Sequence, residues 1–589
     1  MPTVADFVVE RLKAWGVRRA YGYPGDGVNG VMGALARAAG AIEFVQARHE
    51  EMAAFMACGH AKFTGEPGVV IVTAGPGAIH VLNGLYDAKA DHQPVVAILG
   101  QQPRGLLGSH YQQEVDLATL FKDVASEYVQ MVTVPEQARH AVDRAFRIAQ
   151  AERCPTCVIL PSDVQELAYE DPPSAHYATH SGIGYSPPIV MPEAHDLARA
   201  AAVLNRGERV AMLVGAGALG ARDEILRIAE LLQAGIAKAL LGKAVLTDDI
   251  PYVTGTIGLL GTRPTFEMMK QCDTLLMVGS GFPYTEFLPE EGQARGVQID
   301  IDARMLGLRY PMEVNLQGDS SRTLRLLAEL IEPKGERARA WRAKIEASVA
   351  EWWRTLGNRA MLAADPINPQ CVFHELSKRL PADAMLTTDT GSSVFWFARH
   401  VRMQPGHAAA HSGNLASMGA AIPYAIAAKF AFAHRPVVAM VGDGAMQMNG
   451  MNELITIAKY HHCWADQRFV VLVLNNRDLN FVTWEQRILE GDPKFPASQD
   501  LPDLSYAAYA RMLGFEAMRI EAPDDIGPAI DAALAAGRPA LVEAMVDPNV
   551  PMLPPHITLE QARNYLKALL KGDPDAARII RASVKEVLA

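Results

Sequence analysis

The sequence predicts an α/β protein built from three doubly wound parallel-sheet domains. The chain has 589 residues, which is more than one hydrophobic core usually holds. Two proline-rich stretches of weak periodicity divide it, one from Tyr169 to Pro192 and one ending near Pro369. In each of the three segments that result, short β-branched runs alternate with helical patterns, as in parallel sheets covered by helices. We therefore expect domains at 1–180, 190–335 and 365–550, and a tail over 551–589.

In each predicted domain a strand runs directly into a glycine-containing turn. The three pairs are Gly68–Thr73 before Gly75-Pro76-Gly77, Val210–Val214 before Gly215-Ala216-Gly217, and Val437–Val441 before Gly442-Asp443-Gly444. Helices are predicted from Ile79 to Ala90 and from Glu336 to Trp353. Ligands of such sheets bind outside the carboxyl ends of the strands, where these glycines fall.

Composition excludes several classes of protein. The net charge of −11 argues against a general nucleic-acid binder, which needs a basic surface. No apolar run approaches the roughly 18 residues of a membrane span, and Pro2–Lys13 is typical of an amphipathic helix, not of a signal peptide. Six cysteines suit a reducing compartment, so a cytoplasmic location is expected. The Cys154–Cys157 spacing lacks a second ligand pair, which favours a structural role.

The segment Gly215–Gly220 has the pattern GxGxxG after a strand. A dinucleotide fingerprint also requires an acidic residue about 20 positions later, but Gln233, Gly235 and Lys238 occupy that neighbourhood. A conventional NAD site is therefore disfavoured. The glycines either approach a different nucleotide or simply turn a strand into a helix.

Two strand ends in the third domain carry oxygen ligands. Asp443 follows one predicted strand, and Asn476 follows the next strand, Phe469–Leu474. If these strands are neighbours in a parallel sheet, Asp443 and Asn476 converge on one hard cation, Mg²⁺ or Ca²⁺. The alternative is two ordinary loops, since Asp and Asn are common turn residues.

Four motifs together point to a family. They are Arg48-His49-Glu50-Glu51 before an apolar helix, Thr73-Ala74-Gly75-Pro76-Gly77, Asn83-Gly84-Leu85-Tyr86-Asp87, and the distant Gly442-Asp443-Gly444 with Asn475-Asn476. In this combination the chain resembles the thiamine-diphosphate enzymes of the pyruvate oxidase and acetohydroxyacid synthase group over essentially its whole length. One departure is a longer interval after Gly444, with extra residues confined to Tyr460–Gln467, a connection expected outside the site.

The resemblance implies a pyrimidine-binding first domain, a central FAD-type domain and a diphosphate-binding third domain. Glu50 then hydrogen-bonds the aminopyrimidine ring, and Met418 bends the cofactor. Asp443, Asn476 and the backbone carbonyl of Asp478 hold Mg²⁺. The remaining implied contacts to thiamine diphosphate are Thr390, Gly391, Ser392, Ala416, Ser417, Gly442, Gly444 and Ala445. In this family the site lies between two chains, which implies a dimer at least and commonly a tetramer.

The middle domain resembles the FAD-binding segments of the flavin-containing members. The implied FAD contacts are Gly215, Gly217, Gly258, Leu259, Gly279, Ser280, Phe282, Pro283, Asp300 and Asp319. FAD serves redox catalysis in some relatives and has no redox role in the acetohydroxyacid synthases, and other relatives bind only ADP. These alternatives remain open at the level of the sequence.

The resemblance also implies a substrate pocket. Gln113, Phe481 and Glu485 are expected to act on the substrate, and Gln112 and Phe121 to line the pocket. Relatives place an aromatic residue at Gln112, and a glycine at Asn480. An amide at position 112 adds donors and acceptors that the methyl group of pyruvate does not require. We therefore expect pyruvate to be a poor substrate.

The leading functional prediction is decarboxylation of a 2-oxo acid with electron transfer to FAD, and then to a quinone or oxygen. The alternative is a non-oxidative carboligase or carbon–carbon lyase with a structural FAD. A regulatory subunit without activity is disfavoured by the intact Glu50, Asp443, Asn476 and Met418. The C-terminal segment 574–588 has a modest amphipathic pattern, and a packed or mobile tail is favoured over attachment to a membrane surface.

Overall fold

The computed structural model describes residues 1–176 and 178–589, with the side chains of all of these except 587 and 588. It contains three parallel sheets of six strands each, and helices cover both faces of each sheet. The predicted fold class is therefore confirmed. We call the three sheets with their helices units 1, 2 and 3.

Unit 1 has the strand order β2-β1-β3-β4-β6-β5. Its strands are β1 (Arg19–Tyr23), β2 (Glu43–Gln46), β3 (Gly68–Val72), β4 (Val95–Gln101), β5 (Val129–Met131) and β6 (Pro155–Pro161). Its helices are α1 (Val4–Ala14), α2 (Asn29–Arg37), α3 (Glu50–Thr64), α4 (Pro76–His80), α5 (Leu82–Ala90), α6 (Leu117–Leu120), α7 (Gln137–Glu152) and α8 (Ser162–Gln165). The single helix predicted from Ile79 to Ala90 is thus two helices that meet at Val81.

Unit 2 has the strand order β12-β11-β10-β7-β8-β9. Its strands are β7 (Val210–Val214), β8 (Gly235–Lys238), β9 (Val253–Thr256), β10 (Thr274–Val278), β11 (Arg295–Asp300) and β12 (Val314–Gln317). Its helices are α9 (Ala194–Arg206), α10 (Arg222–Leu232), α11 (Arg263–Gln271) and α12 (Ser320–Ala328), and α13 (Glu336–Ala360) leads to unit 3. Helix α13 is longer than predicted, because Leu356 and Ala360 continue its buried face.

Unit 3 repeats the order of unit 1, with β14-β13-β15-β16-β18-β17. Its strands are β13 (Met385–Thr388), β14 (Ala408–Ala410), β15 (Val437–Gly442), β16 (Phe469–Asn475), β17 (Glu516–Ile520) and β18 (Ala540–Met545). Its helices are α14 (Pro369–Arg379), α15 (Ser392–His400), α16 (Ala421–Ala431), α17 (Asp443–Ala445), α18 (Met451–Tyr460), α19 (Asn480–Glu485), α20 (Pro496–Gln499), α21 (Tyr506–Met512) and α22 (Ile526–Ala535).

Each sheet has a switch point, where the chain changes from adding strands on one side to adding them on the other. This switch lies between β1 and β3 in unit 1, between β7 and β10 in unit 2, and between β13 and β15 in unit 3. Ligands of open α/β sheets bind in the crevice at the carboxyl ends of such strand pairs. The turns that begin at Gly215 and Gly442 both leave the sheet at a switch point.

Units 1 and 3 share one hydrophobic core. Helices α3 and α16 approach closely because Gly59 has no side chain: a Cβ at this position would lie 2.8 Å from Tyr424 Cδ1. The ring of Phe55 packs edge-on against that of Tyr424, with 6.0 Å between the centroids. This contact packs helix α3 of unit 1 against helix α16 of unit 3.

The extra residues Tyr460–Gln467 connect α18 to the start of β16. Trp464 is buried among them and stacks on Phe469. The connection therefore lies at the amino ends of the strands, opposite Gly442, and outside the cavity described below, as predicted.

The tail forms two helices, α23 (Leu559–Leu570) and α24 (Ala576–Leu588). Ile579 is buried in the core of unit 3, and Glu586 lies 3.1 Å from the guanidinium of Arg359. The tail thus packs on unit 3. The side chains of Val587 and Leu588 lie outside the described residues. In the described part of the chain, no helix combines the length and apolar character needed to cross a membrane.

Cys154 and Cys157 form no disulfide. Cys157 lies fully buried in β6, and burial raises the pKa of the Cys154 thiol to about 12. These properties agree with the structural role predicted for the pair.

Candidate cofactor site

A cavity of about 1140 Å³ opens at the carboxyl ends of the second and third sheets. Gly215 and Gly279 line it from unit 2, and Gly442–Ala445 line it from unit 3. Residues 90–93 and Arg153 of unit 1 complete part of its wall. One continuous space therefore joins the glycine turns of two sheets.

Most of the predicted cofactor residues line this cavity. From unit 2 these are Gly215, Gly217, Gly258, Leu259, Gly279, Ser280, Phe282, Pro283 and Asp300, and from unit 3 they are Thr390, Gly391, Ser392, Ala416, Met418, Gly442, Asp443, Gly444, Ala445, Asp478, Phe481 and Glu485. Glu50, Gln112, Gln113, Phe121, Asp319, Ser417 and Asn476 are not among the described residues that line it.

Asp443 joins the ends of β15 and β16. Its carboxylate accepts hydrogen bonds from the backbone N–H groups of Gly444 (2.9 Å), Asn476 (2.9 Å) and Arg477 (2.6 Å). Burial, with a smaller contribution from the nearby charge of Asp478, raises the pKa of Asp443 to about 7, and none of the described residues forms an ion pair with it. A buried carboxylate without a positive partner is energetically costly. The Asp443 carboxylate therefore fits the role of a ligand to a bound cation.

Asn476 lies directly beside Asp443. Its amide oxygen accepts a hydrogen bond from the backbone N–H of Asp478 at 3.0 Å. The Asp478 carboxylate is engaged by Thr483 Oγ1 (2.9 Å), Asn480 Nδ2 (3.1 Å) and Lys494 Nζ (3.2 Å). Because hydrogen bonds and an ion pair already occupy the Asp478 carboxylate, the backbone carbonyl is the group of Asp478 that suits the expected metal contact.

Asn480, where the resemblance leads us to expect glycine, has a defined structural role. Its amide donates to Asp478 Oδ2 and to the carbonyl oxygen of Pro548 at 2.8 Å. The substitution therefore ties the predicted metal loop to the segment that follows β18.

Two glycines of unit 3 leave room for a ligand. A Cβ built on Gly391 or Gly442 would meet no heavy atom within 4 Å, although both residues line the cavity. Gly391 also has a φ of +105°, a conformation that other residues rarely adopt. Met418 lies beside Gly444, since a Cβ on Gly444 would come within 3.2 Å of Met418 Cε.

In unit 2 the glycine turns pack on each other at the switch point. Gly215 N–H donates to the carbonyl oxygen of Val278 at 3.0 Å, and Gly217 N–H to that of Gly279 at 3.0 Å. A Cβ on Gly215 would lie 2.3 Å from the Gly279 carbonyl oxygen. These two glycines are required by the close approach of the turns, in addition to any contact with a nucleotide.

The two acidic residues predicted for FAD have different surroundings. Asp300 ends β11, lines the cavity, and has its pKa raised by burial. Asp319 lies outside the cavity, because its carboxylate accepts the backbone N–H of Arg322 at 2.9 Å and caps α12. The structure thus places Asp319 at a helix terminus, and of these two predicted residues Asp300 is the one that lines the cavity.

Glu50 is the first residue of α3 and does not belong to the part of unit 1 that lines the cavity. Its Oε2 lies 2.9 Å from Nδ1 of His80, and its side chain is 12% exposed. His49 precedes it as the helix cap and accepts the backbone N–H of Glu51 at 3.2 Å. Within one chain, Glu50 and the Asp443 turn do not share the cavity.

The segment with Gln112 and Gln113 is an exposed loop near Glu50. Glu114 closes the loop by accepting the backbone N–H groups of Gly108 and Tyr111. Gln113 packs on Gly75, where a Cβ would lie 2.8 Å from Gln113 Cβ, and Gly75 directly precedes α4, which ends at His80. Gln113 and Glu50 therefore lie at the same edge of unit 1, away from the cavity of their own chain.

Phe121 does not line an open pocket in the single chain. It follows α6 and is fully buried in the core shared by units 1 and 3. Phe481 and Glu485 lie on α19 at the cavity. Burial raises the pKa of Glu485 above its usual range, which favours the protonated form of a side chain that faces the predicted substrate space.

Among the residues that sequence reasoning missed are Asp91 and Arg153, which line the cavity, and Asp389, which binds the backbone of the lining residue Thr390. Asp389 directly follows β13, so the rule that identified Asp443 at a strand end could have found it. Asp91 and Arg153 belong to unit 1 but line the cavity of units 2 and 3. Only the packing of the units brings them there, and no local pattern signals it.

Comparison with known proteins identifies three family models on the chain. Residues 2–120 match the N-terminal thiamine pyrophosphate-binding domain of thiamine pyrophosphate enzymes, residues 197–327 the central domain, and residues 389–544 the C-terminal thiamine pyrophosphate-binding domain. They fall on units 1, 2 and 3 respectively.

Three relatives illustrate the range of similar proteins. "Putative thiamine pyrophosphate-containing protein YdaP" of Bacillus subtilis is 34% identical over 590 residues, covering 100% of this chain and 99% of the relative. Pyruvate oxidase of Lactiplantibacillus plantarum is 28% identical over 561 residues, with 94% and 90% coverage. The large subunit of acetolactate synthase isozyme 2 of Escherichia coli is 29% identical over 565 residues, with 94% and 97% coverage. The similarity spans whole chains, and the chain therefore belongs to the thiamine pyrophosphate enzyme family.

Proposed function

We propose that this enzyme decarboxylates a 2-oxo acid and transfers the electrons to FAD, which a quinone or oxygen reoxidises. The observation that carries the proposal is the continuous cavity between the Asp443 turn and the Gly215 and Gly279 turns. A diphosphate held at the Asp443 turn and a flavin nucleotide held at the Gly215 and Gly279 turns would lie in the same cavity. Electron transfer between two cofactors requires this proximity.

We assign residues 1–180 to pyrimidine binding, 190–335 to FAD binding and 365–550 to diphosphate binding. Asp443, Asn476 and the carbonyl of Asp478 would hold Mg²⁺, because oxygen ligands and a buried carboxylate suit a hard cation. When bound, thiamine diphosphate supplies the carbon nucleophile and the electron sink for decarboxylation.

Glu50 would act on the pyrimidine ring of a cofactor held by a second copy of the chain. Glu50 lies outside the cavity of its own chain, and Gln113 lies at the same edge. Two copies would therefore build each site, with Glu50 from one and Asp443 and Met418 from the other. The proposed minimum active unit is a dimer, and a tetramer is the expected assembly.

Glu485 and Phe481 would contact the substrate from the cavity side. Burial raises the pKa of the Glu485 carboxyl group, and its protonated form can donate a hydrogen bond to a carboxylate or carbonyl oxygen. Gln112, in the opposing loop of the second copy, would add a polar contact. We therefore propose a 2-oxo acid with a polar or longer side chain as the preferred substrate.

A second candidate function is a carboligase or carbon–carbon lyase with a structural FAD. It is supported by the similarity to acetolactate synthase, which is as high as the similarity to pyruvate oxidase. The residues that would hold thiamine diphosphate are the same in both cases.

The deciding experiment measures CO₂ release from a series of 2-oxo acids, with and without ferricyanide as artificial electron acceptor. The protein is supplied with thiamine diphosphate, Mg²⁺ and FAD. Release that depends on the acceptor supports the oxidative function. Release that proceeds equally without it, with a carbon–carbon-bonded product, supports the carboligase.

A further inference from the structure

The segment between β14 and α16, residues 411–420, carries Met418 in a constrained conformation. Ala416 has a φ of +53° and Gly419 a φ of +92°. A non-glycine residue in the left-handed region persists where the surrounding structure over-determines it. The contacts on the two sides of Met418 are therefore informative.

On the side before Met418, two carboxylates of unit 1 hold the segment. Asp91 accepts the backbone N–H groups of Gly413 (2.9 Å) and Asn414 (2.8 Å), and also the Asn414 side-chain amide (2.9 Å). Asp87 accepts the hydroxyl of Ser412 at 2.6 Å, and this hydroxyl in turn accepts the backbone N–H of Ser417 at 2.8 Å. The backbone is thus fixed up to the residue before Met418.

These carboxylates have a matched cation. Lys62 Nζ donates to Asp91 Oδ2 at 2.7 Å and to the carbonyl oxygen of His411 at 2.7 Å, and it lies 3.4 Å from Asp87 Oδ2. The Tyr424 hydroxyl also donates to Asp87. The nearby charge of Lys62 compensates part of the desolvation of these buried carboxylates.

On the side after Met418, a third carboxylate holds the segment. Asp389 accepts the backbone N–H groups of Gly419 (2.8 Å) and Ala421 (3.3 Å), as well as that of Thr390 (3.0 Å). Asp389 is 1% exposed. Met418 therefore stands between two backbone stretches that are each bound to a buried carboxylate.

We propose that Asp91 and Asp389 are positioning residues that fix Met418 toward the cavity from the two sides of its loop. The inference rests on the proposed role of Met418 in bending thiamine diphosphate. Unit 1 then acts on the site of its own chain through the Met418 loop, in addition to offering Glu50 to the second copy. Neither Asp91 nor Asp389 is required to react with substrate.

The spacing along α5 supports a dedicated surface for this contact. Asn83, Asp87 and Asp91 are four residues apart and lie on one helix face. Asn83 Nδ2 donates to Ser417 Oγ at 2.9 Å, so all three side chains contact the segment 411–417 or hold a residue in it. Asp123, in contrast, contacts the same helix through Tyr86 and Lys89 and does not reach the segment.

The test is a double-mutant cycle between Asp91 and Met418, read out as the exchange rate of the acidic proton of thiamine diphosphate by NMR. The probe is thiamine diphosphate with Mg²⁺. We expect Asp91→Asn to slow exchange about tenfold in the wild-type background and less than about twofold in Met418→Ala. Asp389→Asn should show the same dependence on Met418, and Asp123→Asn should leave exchange unchanged.

If Asp91→Asn slows exchange equally in the wild-type and Met418→Ala backgrounds, the proposal is wrong, because the effect would then come from a general destabilisation of the fold. No slowing would overturn it as well. If Asp91→Asn fails to fold, Asn414→Ala replaces it, since this exposed side chain contributes one of the contacts to Asp91. Failure of wild type to reduce FAD would contradict the oxidative function while leaving the exchange cycle fully interpretable.

Discussion

The carboxylate of Asp443 accepts the backbone N–H of Asn476 at 2.9 Å, so one side chain joins the ends of β15 and β16. Asp443 remains without a positively charged partner among the described residues, and burial raises its pKa to about 7. This buried carboxylate without a cationic partner is what the proposed Mg²⁺ site requires. This relationship underlies the first prediction.

Replacing Asp443 with alanine should weaken the binding of thiamine diphosphate and Mg²⁺ together, because the variant loses a proposed metal ligand. High concentrations of both should restore part of the activity. Isothermal titration of thiamine diphosphate at two Mg²⁺ concentrations measures this. Affinity that does not depend on Mg²⁺ in either protein would remove Asp443 from the metal site.

Replacing Glu50 with glutamine should abolish turnover and leave the fold and the FAD content intact. Glutamine keeps the shape of the side chain but cannot hold a negative charge beside the pyrimidine ring. General acid–base steps contribute about 10²–10⁴-fold, and we expect a loss of at least this size at saturating cofactor. The measurement is the steady-state rate, with the exchange rate of the cofactor's acidic proton as the direct readout. Exchange as fast as in wild type would contradict the assignment.

Replacing Gln112 with phenylalanine should improve the use of pyruvate relative to more polar 2-oxo acids. The amide offers hydrogen bonds that the methyl group of pyruvate cannot use, whereas an aromatic ring packs against it. The ratio of kcat/KM for pyruvate to that for the best acid checks this in both proteins. Wild type that already prefers pyruvate would show that Gln112 does not face the substrate.

The protein should remain in the supernatant when pelleted with lipid vesicles, both before and after reduction with its 2-oxo acid. Helix α24 is held on unit 3 by the buried Ile579 and by the contact of Glu586 with Arg359. If the reduced protein pellets with the vesicles, the tail leaves its position on unit 3. The exposed leucines of α23, Leu559, Leu566 and Leu570, would then be the first residues to replace.

The elements nearest to the cofactor were the most predictable from sequence. The strand Val210–Val214 has the predicted bounds, and Asp443 and Asn476 converge because β15 and β16 are neighbours, as the strand-end argument requires. These predictions succeed because short β-branched runs identify buried strands and the carboxyl ends of neighbouring parallel strands meet at one edge of the sheet. The identity of the proposed cofactors came from the resemblance of whole motifs.

Other features depend on packing between distant segments. Asp319 has the sequence position expected of a nucleotide contact, yet its local role as a helix cap decides where its carboxylate lies. Asp91 accepts a hydrogen bond from Gly413 in the Met418 loop, although the two residues are 322 positions apart in the sequence. Phe121 is fully buried in the core that units 1 and 3 share. No local pattern contains that information.

We propose that the Asp443 turn and the Gly215 and Gly279 turns hold two cofactors that exchange electrons within one cavity. The flavin absorbance of the FAD-loaded protein tests this when the protein is mixed anaerobically with a 2-oxo acid, with and without thiamine diphosphate and Mg²⁺. We expect bleaching of the flavin only when thiamine diphosphate and Mg²⁺ are present. Consumption of the acid while the flavin stays oxidised would contradict electron transfer between the two cofactors.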